Sequence, residues 1–296
     1  MAMLDSLDRT ITLTAPAKIN LALHVTGRRS DGYHLLDSLV VFAGFGDRIS
    51  VKRAALDDFA TSGPYGHALP DDASNLVLKA RDALRAAFPD RATPVAIHLE
   101  KHLPVASGIG GGSTDAAAAL SALSSLWALD VGIDTLAAIG LPLGADIPMC
   151  LYGQPLIARG VGEEIEPMAT FPRLPLLLAN CGASISTPQV FAALDKRDNP
   201  PLPALRAMRS LDDVCDYLKA THNHLFQATR ALTPGIDDTI AALERTSPRL
   251  VRMSGSGATC FGIYDSDSDA EGAAAKLRRD HPGWFVVATH SAMEGN

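Results

Sequence analysis

The chain holds 296 residues, 47% of them hydrophobic and 20% charged, with a formal net charge of −7. Those proportions belong to an ordinary soluble globular protein, and the length favours two domains over one hydrophobic core. An acidic balance without a basic block argues against a nucleic-acid partner. No apolar run approaches the ~20 residues that span a bilayer, so no membrane association is expected. The opening MAMLDSLDRT lacks the basic-then-apolar order of a signal peptide. Cys150, Cys181, Cys215 and Cys260 stand singly, without CxxC spacing, and read as reduced, packed thiols of a cytoplasmic protein.

Ile11 and Leu13 alternate with threonines, a short strand signal ending at Ala15-Pro16. Ile19, Leu21, Leu23 and Val25 then alternate with Lys18, Asn20, Ala22 and His24, which predicts a strand with Lys18 and Asn20 together on its polar face. Residues 26–32 read as a turn or loop. The apolar run from Leu35 to Phe45, followed by Ile49 and Val51, completes an antiparallel β-rich opening. Residues 54–74, rich in Asp, Gly, Pro and Ala, read as loop.

Asn75 to Phe88 has helical spacing, and Val95, Ile97 and Leu99 alternate as a strand that delivers the chain to Lys101. A helix is expected from Thr114 to Leu129, capped by Ser113 or Thr114, with Asp115 in its first turn. A short helix over 135–141 precedes the stretch Pro142 to Pro148. Composition shifts between Leu151 and Pro172, and two domains are expected, 1–160 and 161–296. Beyond it lie a buried-strand pattern at 176–179, a charged loop at 195–203 and helix patterns near 211–220, 222–232 and 236–246. Arg252 to Gly257 precedes a strand at 258–264, a helix at 269–279 and a last strand at 284–289.

The most informative stretch is PVASGIGGGSTDAAAAL, Pro104 to Leu120, where Gly108, Gly110, Gly111 and Gly112 run into Ser113, Thr114 and a helix pattern. Glycines let backbone N–H groups approach an anion closely, and a helix start adds unpaired donors and the positive end of its dipole. Together these make a phosphate cradle. No lysine precedes Ser113, which excludes the Walker A pattern. From Gly108 the third glycine position of a dinucleotide fingerprint is Ser113, and the protein-kinase companions HRD and DFG are absent. A plain glycine turn joining strand to helix would rarely need four glycines and two hydroxyls.

This loop resembles the ATP loop of the GHMP kinases, and RMSGSGATCFGIY, from Arg252 to Tyr264, resembles their second glycine loop. APAKINLALHVTGRRSDGYHLLDSLVVF, LGADIPMC, Ser184 to Phe191 and Asn223 to Phe226 are similar to a branch of that family. That branch phosphorylates a cytidine-diphosphate-linked alcohol of non-mevalonate isoprenoid synthesis. Phe226 departs from the branch's usual acid, and Ala106 and Ser107 from its more glycine-rich loop. The resemblance implies an α+β, two-domain GHMP kinase fold, with a ribosomal protein S5 domain 2-like N-terminal domain that binds ATP and a ferredoxin-like C-terminal domain. It implies ATP as phosphoryl donor, Mg²⁺ carried on the nucleotide phosphates, no dedicated protein metal cage, and a monomer or weak homodimer.

Carried over residue by residue, the resemblance assigns ATP binding to Pro104, Val105, Ala106, Ser107, Gly108, Ile109, Gly110, Gly111, Gly112, Ser113 and Thr114. Asn75 and Lys101 match residues near adenine and ribose; by residue type alone they read as a helix cap and an exposed charge. Asp146 and Lys18 match the catalytic pair, whereas by pattern alone they are a helix or turn cap and a solvated strand residue. Asn20, Tyr33, His34, Thr187 and Phe191 match the acceptor side, with Tyr33 and Phe191 flanking the cytosine and His34 bonding its edge. His222 and His224 form an HxH without a visible third ligand and read as structural. Two readings stay open beside this one: another small-alcohol GHMP kinase, and a nucleotide-binding regulatory protein without turnover.

Overall fold

A computed structural model describes the chain from Arg9 to Ala292. The N-terminal stretch through Asp8, with its expected lack of a targeting signal, lies outside the described residues. By packing, the chain divides into two units built from interleaved segments. One takes the chain up to Ala17, Phe45–Val105 and Gly111–Tyr152; the other takes Lys18–Gly44, Ala106–Gly110 and everything from Gly153 onward. Two long strands, β1 (Ile11–Arg28) and β2 (His34–Arg53), each contribute a segment to both units. β1 runs through the expected break at Ala15-Pro16. β1 pairs with β2 on one side, and proline's missing N–H is tolerated on such an edge.

In the first unit the second half of β2 pairs antiparallel with β4 (Val95–Glu100), Arg48 opposite Glu100 and Arg53 opposite Val95. β3 (Asp58–Ser62) adds in parallel to β4, a strand inside the stretch expected to be loop. Its half-exposed, polar edge position leaves little hydrophobic signature. α1 (Leu76–Ala87) forms where the spacing predicts a helix, but its buried residues are Val77, Leu78, Ala80 and Leu84, with Lys79 and Ala87 exposed. α2 (Gly111–Leu126) is buried continuously from Thr114 to Leu120, which suits its alanines because small side chains let neighbouring elements approach. α3 (Ile133–Gly140) and α4 (Ile147–Tyr152), the latter not expected from the sequence, complete the unit. The buried Trp127 follows α2 and donates its indole N–H to the Thr93 carbonyl at 3.2 Å.

In the second unit the first half of β2 pairs antiparallel with β5 (Leu156–Gly160), which returns through β6 (Glu164–Pro167). After the fully buried β7 (Pro175–Asn180) come α5 (Thr187–Ala192), α6 (Leu211–Lys219), α7 (Phe226–Leu232) and α8 (Gly235–Glu244). β8 (Leu250–Met253), β9 (Cys260–Ile263), α9 (Asp267–Asp280) and β10 (Phe285–His290) close the chain. The sheet order β10-β7-β9-β8, all antiparallel, is that of a ferredoxin-like unit. Leu177, Ala179, Ile236, Leu243, Ala274 and Leu277 share its core.

β1 departs from simple alternation in this unit: Lys18 to Val25 are all buried, so neither face is solvated. The turn at 222–224 covers one side. Leu23 N–H donates to His222 O and His224 N–H to Leu23 O, both at 2.9 Å. His24 stacks on His224, centroids 4.2 Å apart, with His222 stacked beyond. His24 Nδ1 lies 2.9 Å from the Pro200 carbonyl and its Nε2 accepts from the His222 N–H at 3.2 Å. His224 Nδ1 accepts from the Val25 N–H at 3.1 Å. Ring nitrogens so committed require neutral imidazoles. Burial holds His24 below its ordinary value and His224 down at about 4, with each other's charge adding to the effect at His224. Bases whose pKa is depressed on folding contribute stability that is present above pH ~6.5 and lost as pH falls toward 4. The melting temperature is therefore expected to fall on acidification through that window. His224→Asn should flatten this fall, and an unchanged pH profile would remove the cluster from the acid response.

Candidate active site

The glycine loop is held by its carbonyls. Within the second unit, Ala106 O accepts from Ile185 N–H (3.0 Å), Ser107 O from Thr259 N–H (3.0 Å) and Ile109 O from Lys18 N–H (2.9 Å). Gly108 O accepts from the Ser254 hydroxyl at 3.1 Å. In a trans peptide the next N–H points opposite the carbonyl. The N–H groups of Ser107, Gly108, Ile109 and Gly110 therefore point away from the elements that hold those four carbonyls. That is the polarity an anion cradle requires.

The second glycine loop sits against the first. A Cβ on Gly108, whose φ is +77°, would lie 2.5 Å from Gly257 N, and one on Gly255 would lie 2.5 Å from Gly108 O. Only glycine permits this backbone-on-backbone contact. Asn223, buried, fixes the second loop by donating its amide to Met253 O (2.9 Å) and Gly255 O (2.8 Å). Thr229 donates to Ser256 O at 2.9 Å. Asn223, matched in the sequence only to a family turn, is thus a loop-positioning residue, while Phe226 packs against the core.

Lys18 is buried, which excludes the solvated-strand alternative, and its side chain runs beside Gly110. A Cβ there would meet Lys18 Cε at 3.2 Å. Asn20 is buried two residues on. Its backbone N–H donates to the Ser254 hydroxyl and its side-chain amide to Ser38 Oγ at 2.8 Å. Its Oδ1 has no hydrogen-bond partner among the described residues. On the expected acceptor side, His34 stacks on Phe191 with centroids 4.8 Å apart, so these two residues are brought together. His34 Nε2 is buried without a partner among the described residues. Burial, then the charges of Arg28 and Arg197, hold this imidazole below its ordinary value, so it is neutral near pH 7. Tyr33 is 60% exposed, and Thr187 exchanges a hydrogen bond with Ser256 at 2.7 Å.

In the first unit α2 starts at Gly111, three residues before the expected Thr114 start. Ser113 and Thr114 are therefore inside the helix, not at its cap. Thr114 Oγ1 bonds back to Gly111 O at 3.0 Å, and Asp115 lies past the first turn. Asn75 is the cap of α1: its Oδ1 accepts from Val77 N–H (2.9 Å) and its amide donates to Pro70 O (2.8 Å). Lys101 is not an exposed charge. It is 2% exposed and ion-paired with Asp47 and Asp115. Asp146 immediately precedes α4, and its carbonyl accepts from Cys150 N–H.

Two facing glycine loops, a buried lysine beside one of them and a helix opening on glycine define the class, a small-molecule kinase. Family models agree: GHMP kinases N terminal domain matches residues 75–154, and GHMP kinases C terminal matches residues 202–283. A Brucella abortus protein named 4-diphosphocytidyl-2-C-methyl-D-erythritol kinase is 54% identical over 95% of each chain. A Mesorhizobium japonicum protein of the same name is 54% identical over 95% of each. A crystal structure of 4-(cytidine 5′-diphospho)-2C-methyl-D-erythritol kinase superposes with a TM-score of 0.78 at 32% identity, covering 96% of this chain and all of that one. Homoserine kinase from Cytophaga hutchinsonii, 17% identical with a TM-score of 0.70, shares the fold. The chain belongs to the 4-diphosphocytidyl-2-C-methyl-D-erythritol kinase family of the GHMP kinases.

Ala106 sits in the left-handed region, at φ +51°, where the branch's loop is richer in glycine. Alanine there costs about 1–2 kcal/mol, and glycine's greater unfolded-state freedom takes back about 0.4–1 kcal/mol. Ala106→Gly is expected to stabilise the fold by up to about 1.5 kcal/mol. A lowered denaturation midpoint would show that the alanine is held by contacts worth more than its strain.

Proposed function

We propose that this chain transfers the γ-phosphoryl group of ATP to the 2-hydroxyl of 4-diphosphocytidyl-2-C-methyl-D-erythritol. The products are the 2-phosphate and ADP, and the step belongs to non-mevalonate (MEP) isoprenoid precursor biosynthesis. The observation that carries this reading is 54% identity, across 95% of both chains, to a relative bearing that enzyme's name. Support for ATP comes from the GHMP kinase domain matches and from the inward-held carbonyls of the Pro104–Thr114 loop. The two matches fall on either side of residue 160, which supports a division into residues 1–160 and 161–296.

Phosphoryl transfer requires positioning, charge neutralisation and a polarised hydroxyl in line with the γ-phosphorus. Asp146 accepts the hydroxyl proton as the oxygen bonds to phosphorus and the bond to the β-phosphate oxygen breaks. Lys18 holds positive charge beside the loop, favouring an ionised base and a more acidic acceptor hydroxyl. The unpartnered Asn20 Oδ1 suits a hydroxyl donor of the acceptor, and His34 Nε2 suits the edge of its cytosine. Tyr33, Thr187 and Phe191 complete the acceptor side. Asn75 and Lys101 act by shaping the nucleotide side, as cap and buried cation.

Among the described residues no group of three or more His, Cys, Asp or Glu could hold a metal ion. A loop presenting backbone N–H groups fits phosphates, so Mg²⁺ is proposed to arrive on the nucleotide phosphates, where it would supply charge neutralisation. The described residues contain no helix long and apolar enough to cross a membrane. A cytoplasmic monomer or weak homodimer with no nucleic-acid partner completes the proposal.

Asp146→Asn and Lys18→Ala are each expected to lower kcat by about 10²–10⁴ with the fold intact. Near-normal turnover in either purified variant would remove that residue from the mechanism. His34→Ala should raise KM for the acceptor about tenfold or more while leaving KM for ATP within about twofold, the loss of one buried hydrogen bond. ADP release across a panel of alcohols tests the acceptor. Preference must collapse when the cytidine moiety is removed, and indifference to it would point to another small alcohol.

A further inference from the structure

Beneath the first turn of α2 lies a cluster that the transfer chemistry does not use. Lys101 Nζ is 2.5 Å from Asp47 Oδ2 and 2.6 Å from Asp115 Oδ2, with all three side chains almost wholly buried. A Cβ on Gly111 would lie 2.9 Å from that Nζ and 3.7 Å from Asp47 Oδ2, so the cluster directly underlies the residue that opens the helix. The two carboxylates are not equivalent. Asp47 Oδ1 also accepts the N–H groups of His102 and Leu103, at 2.5 and 2.8 Å. Asp115 Oδ1 has no partner among the described residues. One ammonium between two buried carboxylates leaves a net negative charge unless one carboxyl keeps its proton, and Asp115 is the one with least to lose by keeping it.

We propose that Asp115 is a positioning residue for the nucleotide: the proton it holds against Lys101 and Asp47 keeps the base of the α2 N-terminus from turning negative, and so sets the affinity of that turn for a triphosphate. The inference rests on the reading of the Pro104–Thr114 loop as the ATP cradle. Burial, reinforced by the charge of Asp47 and opposed by Lys101, pushes Asp115 up to about 8. Lys101 is held above its ordinary value because its two carboxylates outweigh the effect of burial. Other charges near α2 are committed elsewhere or farther along. On α1, Arg81 and Arg85 pair with Asp57, and Lys79 is exposed. His102 faces Glu100. Asp134 on α3 accepts from Tyr152, and Asp146 precedes α4.

The test is KM for MgATP from pH 6.5 to 9.5, at saturating acceptor, for the full chain and for Asp115→Asn. Asparagine can keep its oxygen toward Nζ and turn its amide to the side where Oδ1 has no partner. In the unsubstituted chain KM should rise about threefold or more above pH 8, as a charge appears below the phosphates. In Asp115→Asn that rise should be lost, while the pH dependence of kcat is unmoved in both. The unsubstituted chain's melting temperature should also fall from pH 6.5 to about 8 and level off above it, because an acid with a raised folded pKa gives up stability as pH climbs to that pKa and none beyond it. The proposal is overturned by a flat KM profile in the unsubstituted chain, or by an equal rise in the variant. Should Asp115→Asn not fold, Asp115→Ser takes its place, and the unsubstituted chain's two profiles already decide one arm. Absence of ADP release at every pH with every alcohol would defeat the kinase reading; normal cytidine-dependent turnover with a flat KM would defeat only the role of Asp115.

Discussion

Backbone pressed against backbone, at Gly108 and the Ser254–Gly257 turn, is the constraint on which the candidate site depends. A Cβ at either face of that contact would come within about 2.5 Å of main-chain atoms, far inside any tolerable separation. With side chains excluded, the loops are fixed by hydrogen bonds alone. The Ser254 hydroxyl serves both sides, donating to Gly108 O and accepting from the Asn20 N–H. Asn223 and Thr229 hold the second loop from behind. Four loop carbonyls are thereby consumed by the protein, and peptide planarity turns the next four N–H groups the other way. The proposed anion cradle follows from where the carbonyls are tied and requires no lysine of the Walker type.

The same logic explains how an acidic chain can hold polyanions. Its charge of −7 sets the long-range field, which salt screens within about 10 Å. Recognition of phosphate is decided at shorter range. Two lysines are buried next to the loop's glycines: Lys18 beside Gly110 and Lys101 beside Gly111. Buried ammonium groups act through a lower effective dielectric than exposed ones. Lys101, however, is shared between two carboxylates, and its local effect depends on whether both are charged. The Lys101 cluster, one amine between two carboxyl side chains, thus adds no net positive charge beneath the loop.

Much of this was legible in residue order because its devices are local. The glycine run, the strand feeding it, the stripe of α1 and the alternation at Val95, Ile97 and Leu99 all rest on spacing within a few residues. The placements that escaped are those set by distant partners. β3 was hidden because an edge strand that is exposed on alternate residues carries no apolar run. The α2 start moved from Thr114 to Gly111 because glycines read as loop, whereas the packing of α2 extends the helix into them. Asp47 had a faint signal, an acid between Gly46 and Arg48 just after an apolar run, though Asp37 in the same strand carries the same mark. Its partner Lys101 lies 54 residues away. His24 likewise gave no sign that it would complete a stack with His222 and His224, because 198 residues separate it from the turn.

Burial reversed several readings based on residue type alone. Lys18, Asn20 and His24 occupy what alternation marks as the solvated face of β1, yet the Ile109 carbonyl and the 222–224 turn close over it. A polar residue enclosed in this way must have every valence met or carry a purpose for the one left over. His24 has both ring nitrogens engaged, which is the signature of a structural imidazole. Asn20 Oδ1, His34 Nε2 and Asp115 Oδ1 are each left without a protein partner among the described residues. The first two lie on the proposed acceptor side, where a hydroxyl and a base edge would supply the missing bonds. The third lies beneath the residue that opens α2, where the proposed proton on Asp115 leaves a neutral carboxyl in place of an uncompensated buried charge.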